Sequence, residues 1–90
     1  MTVHNNVRKI RLAKGITQKR VYDVLGITNQ SYSNFELHGM GSTTEKLDTI
    51  AKILEEKPGI FFDDKLTEAV IRKINKGAGE YARRRRSKEA

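Results

Sequence analysis

The sequence predicts an all-α chain. Three observations carry that expectation. Apolar residues recur at helical spacing in successive segments, threonines stand where helices need N-caps, and glycines stand where helices stop. No alternating strand pattern, internal repeat or nucleotide-binding glycine motif appears.

Residues 1–4 read as a loose start, with Asn5 or Asn6 as the N-cap of a first helix ending near Lys14. Val7, Ile10 and Ala13 point inward, Arg8, Lys9 and Lys14 outward, and Gly15 ends the element before Ile16 packs. A second helix spans residues 18–25, with Thr17 as its N-cap, because a threonine oxygen accepts a free first-turn N–H. Val21, Val24 and Leu25 fall at i, i+3 and i+4 and predict its buried face. Gly26 follows where a left-handed residue closes a helix, a conformation cheap for glycine. Ile27 is a turn residue facing the core, and Thr28 caps a third helix over residues 29–37. That helix carries Tyr32, Phe35 and Glu36 on one side and Asn29, Gln30, Ser33 and Asn34 on the other. Such a density of short amides and hydroxyls suits the major groove, where Asn and Gln match base edges bidentately. A solvated helix face is the plainer alternative.

Residues 38–44 form a loop broken by Gly39 and Gly41. Thr43 or Thr44 opens a fourth helix to about Glu56, with Leu47, Ile50, Ala51 and Leu54 on one stripe. Pro58 suits the first position of a short fifth helix through Phe62, since its missing N–H is unpaired there anyway. Phe61 and Phe62, with Ile60, are expected to close the core. A sixth helical pattern over residues 66–75 aligns Leu66, Val70 and Ile74, and Gly77 and Gly79 interrupt it. That line either finishes the core or forms a dimer seam, and the seam is the expectation because the core is nearly complete by Phe62. Three regions result: a domain over residues 1–64, a C-terminal helix over 65–76, and a basic tail over 77–90, flexible or a frayed helix.

Ninety residues without cysteine make one small domain with neither disulfides nor thiolate zinc sites. Two histidines far apart in the chain make no metal site, and no cofactor motif is visible. The N-terminus lacks a signal peptide's apolar segment and no apolar run reaches membrane-spanning length, so a cytoplasmic location is expected, with no membrane partner. No nucleophile, base and orienting group stand together, so an enzyme is not expected, and no small-molecule ligand is evident. The net charge of +7 is unevenly divided. Residues 1–64 hold nine Lys/Arg against eight acids, a net of +1, and residues 65–90 hold nine against three, a net of +6. Residues 1–20 hold six cations and no acid, whereas residues 45–64 hold six acids and three cations. That polarity points to one face for a polyanion, beside the plainer role of solubility.

Ile10-Arg11, Lys14-Gly-Ile-Thr-Gln18, Gly26-Ile-Thr28, Tyr32-Ser33, Phe35-Glu36 and the Leu47–Leu54 stripe together resemble the Cro/C1 repressor-type helix-turn-helix domain, over roughly residues 6–63. The resemblance implies a five-helix lambda-repressor-like bundle, here with an additional C-terminal helix and basic tail. It also implies a third helix in the major groove and a homodimer on a two-fold operator. By position, Asn29, Gln30 and Asn34 match residues that reach base edges, Gln18 a phosphate contact, and Ser31 and Ser33 neighbours that touch phosphate or bases. Arg11 and Glu36 match a pair that bridges the first and third helices. Thr17 and Thr28 are expected on the phosphate path, since a helix N-terminus favours anions, with Lys19 beside them and His38 reaching it from the loop after the third helix. The chain departs from the pattern at Tyr22, where a small residue is usual, at Tyr32 in place of Ile or Val, and in a longer loop after Glu36.

The expected function is a sequence-specific, double-stranded DNA-binding transcriptional regulator, a homodimeric repressor acting by operator occupancy. Arg83, Arg84, Arg85 and Arg86 are expected to add attraction to phosphates without sequence preference. The alternatives are an antitoxin or adaptor that binds a protein through the C-terminal helix, and an RNA-binding role for the arginine run.

Overall fold

A computed structural model describes the backbone of residues 2–89 and the side chains of residues 2–76. The chain is all-helical: α1 Val3–Ala13, α2 Gln18–Leu25, α3 Asn29–His38, α4 Thr44–Leu54, a 3₁₀ segment Pro58–Phe62, and α5 Asp64–Glu89. Helix α1 lies centrally, packing on α3, α5 and the 3₁₀ segment, while α2 packs on α3 and α4. No helix among the described residues is long and apolar enough to cross a membrane.

Threonines start four of the helices. Thr17, Thr28 and Thr43 accept from the N–H of Arg20, Ser31 and Lys46 at 3.2, 3.1 and 3.1 Å. Helix α1 starts earlier than its sequence pattern indicates, because Thr2 is its cap and accepts from Asn5 N–H at 3.3 Å. Asn6 is therefore not a cap. It is buried, and its Nδ2 donates to the Phe61 carbonyl at 2.9 Å and to Asp64 Oδ1 at 3.0 Å, tying α1 to the far end of the core. Helix α4 stops at Leu54 rather than Glu56, because Glu55 adopts a left-handed φ of 58° and Glu56 N–H returns to the Ala51 carbonyl at 2.9 Å.

The core joins Val7, Ile10, Val21, Tyr32, Phe35, Leu47, Ile50, Ala51, Leu54 and Phe61. Two residues expected in it are exposed instead. Val24 is 59% exposed, and α2 instead turns Tyr22 and Leu25 beside Val21 toward the core. A tyrosine ring offers more apolar area than a valine, so the rotation that seats the ring is favoured. Phe62 is 66% exposed, because adjacent residues of a helix point about 100–120° apart and the segment turns Phe61 to the core. Phe61 alone is buried there, contributing about 2–3 kcal/mol.

Helix α5 meets the core through Thr67 and Ile71. The Thr67 hydroxyl donates to the Ile60 carbonyl at 2.6 Å, and Asp63 caps the helix by accepting from Leu66 N–H at 3.1 Å. Leu66 is 50% exposed, and Val70 and Ile74 are half-buried. The α5 backbone continues past Asn75 to Glu89. An interior glycine costs a helix only about 1 kcal/mol relative to alanine, so Gly77 and Gly79 need not end it. The side chains at Arg83, Arg84, Arg85 and Arg86 lie outside the described residues.

Candidate nucleic-acid interface

The seat of α3 is a buried polar knot. Glu36 is 2% exposed, and the Arg11 guanidinium grips it with two hydrogen bonds, Nε to Oε2 at 2.7 Å and Nη2 to Oε1 at 3.0 Å. Nη1 of the same arginine donates to the Ile16 carbonyl at 2.8 Å, so one side chain fixes α1, the α1–α2 turn and α3 together. Burial alone would raise the Glu36 carboxyl, yet the donors from Arg11 and Gln18 and the arginine's charge hold it below the ordinary carboxylate value. Tyr32, one turn earlier, is fully buried, and its hydroxyl makes no well-formed hydrogen bond although it lies near enough to feel the Glu36 charge. Burial first, then the hydrogen-bonding approach to the Glu36 carboxylate and its charge, push the phenol upward.

Clamping Tyr32, Phe35 and Glu36 inward turns the opposite face of α3 outward. Asn29, Gln30 and Ser31 are exposed on its first turn, and Ser33 and Asn34 are half-buried one turn later. The Ser33 hydroxyl donates to Asn29 Oδ1 at 3.3 Å. Thr28 stands exposed at the start of this helix and His38 exposed at its end.

The start of α2 lies beside this face. Gln18 is half-buried and its Nε2 donates to Glu36 Oε1 at 3.1 Å, so part of its hydrogen-bonding capacity is spent inside the fold. Lys19 is exposed and reaches Asp23 Oδ2 at 2.6 Å, a hydrogen bond that raises its pKa. Lys14 pairs with Glu56 at 2.8 Å and Lys9 lies 3.8 Å from Glu68. Much of the cationic run in residues 1–20 is thus matched by acids elsewhere. Arg8 and Arg20 have no acidic partner within salt-bridge distance among the described residues.

The loop after α3 is fixed by residues that sequence reasoning passed over. Lys46 Nζ donates to the Gly41 carbonyl at 2.7 Å and lies 5.9 Å from the centre of the Phe35 ring. His4 packs directly on Gly39, where an added Cβ would sit 2.7 Å from Nδ1. The histidine far from His38 in sequence is therefore brought to the C-terminal end of the same helix. The glycine pair in the loop, with a lysine five residues after Gly41, was the available signal for the first contact; nothing in the sequence marked the second.

The pieces join as two short helices linked by a tight turn at Gly26, the second held from behind by α1 and offering polar groups in front. Residues 7–61 match the family model described as helix-turn-helix. No curated protein and no solved structure matches the chain. The match spans more than half of the 90 residues, and the chain belongs to the Cro/C1-type helix-turn-helix family of DNA-binding domains.

Proposed function

We propose that the protein is a non-enzymatic transcriptional regulator, a cytoplasmic homodimeric repressor that acts by occupying a two-fold operator in double-stranded DNA. The carrying observation is the two-sidedness of α3, with Tyr32, Phe35 and Glu36 buried behind and Asn29, Gln30 and Asn34 available in front. In this reading Asn29, Gln30 and Asn34 meet base edges. Thr17, Gln18, Lys19, Thr28, Ser31, Ser33 and His38 meet or support contacts to phosphates, which fix register without specifying sequence. The half-exposed Leu66 with Val70 and Ile74, widened by the exposed Phe62, forms the seam between two copies. The bound dimer then excludes or positions polymerase at its site.

Selection of bound duplexes from random DNA tests this directly. The expected product is an inverted repeat whose half-site centres lie about 10 base pairs, or roughly 34 Å, apart. An enriched motif without two-fold symmetry defeats the dimer, and no enrichment at all defeats sequence recognition.

A further inference from the structure

Asn29 is the first residue of α3 and Ser33 stands one turn later. A mid-helix serine commonly bonds back to the carbonyl four residues earlier. Here its hydroxyl instead meets the side-chain oxygen of that residue, 3.3 Å from Asn29 Oδ1. With the hydroxyl as donor, this bond turns Oδ1 toward the helix and leaves the Nδ2 hydrogens for an outside acceptor. Gln30 and Asn34 have no side-chain hydrogen bond of this kind among the described residues, so each keeps both amide ends for a ligand.

We propose that Ser33 is a positioning residue that fixes Asn29 as a donor, so that Asn29 selects guanine while Gln30 selects adenine. Guanine offers two acceptors, N7 and O6, on its major-groove edge, whereas adenine offers an acceptor and a donor and so needs an amide with both ends available. The inference rests on the reading of α3 as the base-reading helix and adds to it a division of labour between adjacent amides. Ser33 itself touches no base in this account.

Random-duplex selection with four proteins tests it: the unmodified chain, Asn29→Ala, Ser33→Ala and Ser33→Thr. Asn29→Ala identifies the motif position that the amide reads, because that position alone flattens. At that position the unmodified chain is expected to enrich guanine. Ser33→Ala is expected to lower its guanine-over-adenine preference by about fivefold or more, the lower end of a good base contact. Ser33→Thr, which keeps a hydroxyl, is expected to restore it. A merely structural serine would change overall affinity and leave the preference at one position alone. Another base at that position, an unchanged preference in Ser33→Ala, or no position that Asn29→Ala flattens each overturns the inference while the DNA reading stands. Absence of any motif from the unmodified chain overturns both.

Discussion

Two buried residues on α3 respond to substitution in opposite ways. Tyr32 places a fully buried hydroxyl where no protein group makes a well-formed hydrogen bond to it. Leaving a buried polar group unsatisfied costs about 1–3 kcal/mol, so Tyr32→Phe is expected to raise stability by about 1 kcal/mol in urea denaturation. A loss of similar size would mean that the hydroxyl is bonded to Glu36 after all. Glu36 is the reverse case, since its partner Arg11 is itself only 6% exposed. Removing one member of a buried pair costs about 3–5 kcal/mol, because the other charge is stranded. Its carboxyl sits lower in the folded chain than the ordinary value of 4.5. Its stabilising share is therefore whole above that pH and is lost as pH falls below it toward the lowered folded value. Denaturation midpoints of the unmodified chain should fall steeply below about pH 4.5, and those of Glu36→Gln should fall less over the same range. Parallel curves would contradict that assignment.

At the scale of elements, caps and turns decide the boundaries. Glu55 ends α4 with a φ of 58°, among the described residues the one non-glycine with positive φ. A side chain in that conformation costs roughly 1–2 kcal/mol, so Glu55→Gly should raise the thermal midpoint, offset in part by the glycine's greater freedom when unfolded. A lowered midpoint would show that the carboxylate itself supports the turn. The same logic separates what was legible in the sequence from what was not. The threonine caps, the Gly26 turn, the Leu47–Leu54 stripe and the inward Tyr32, Phe35 and Glu36 follow from local spacing, and the structure has them. Val24 and Phe62 are exposed against expectation because spacing along one helix does not say which rotation its neighbours accept. Asn6 was misread because its partners, the Phe61 carbonyl and Asp64, lie more than fifty residues away. Gln18 reads from sequence as a surface contact; its bond to Glu36 appears only when α2 and α3 are brought together.

At the scale of the whole molecule, the cations and the polar face of α3 lie on different parts of the chain. Acids at Asp23, Glu56 and Glu68 take up three of the cations in residues 1–20, and most of the net charge lies beyond residue 64. On the proposed reading, attraction to phosphates comes mainly from the residues beyond 64, and sequence preference from Asn29, Gln30 and Asn34 on two successive turns of α3. A pair of binding titrations at one salt concentration tests base reading by α3, with the unmodified chain and Gln30→Ala each measured on the selected site and on random duplex. If Gln30 reads a base, the substitution loses about 1–3 kcal/mol on the selected site and changes binding to random DNA little. Equal losses on the two duplexes would contradict it.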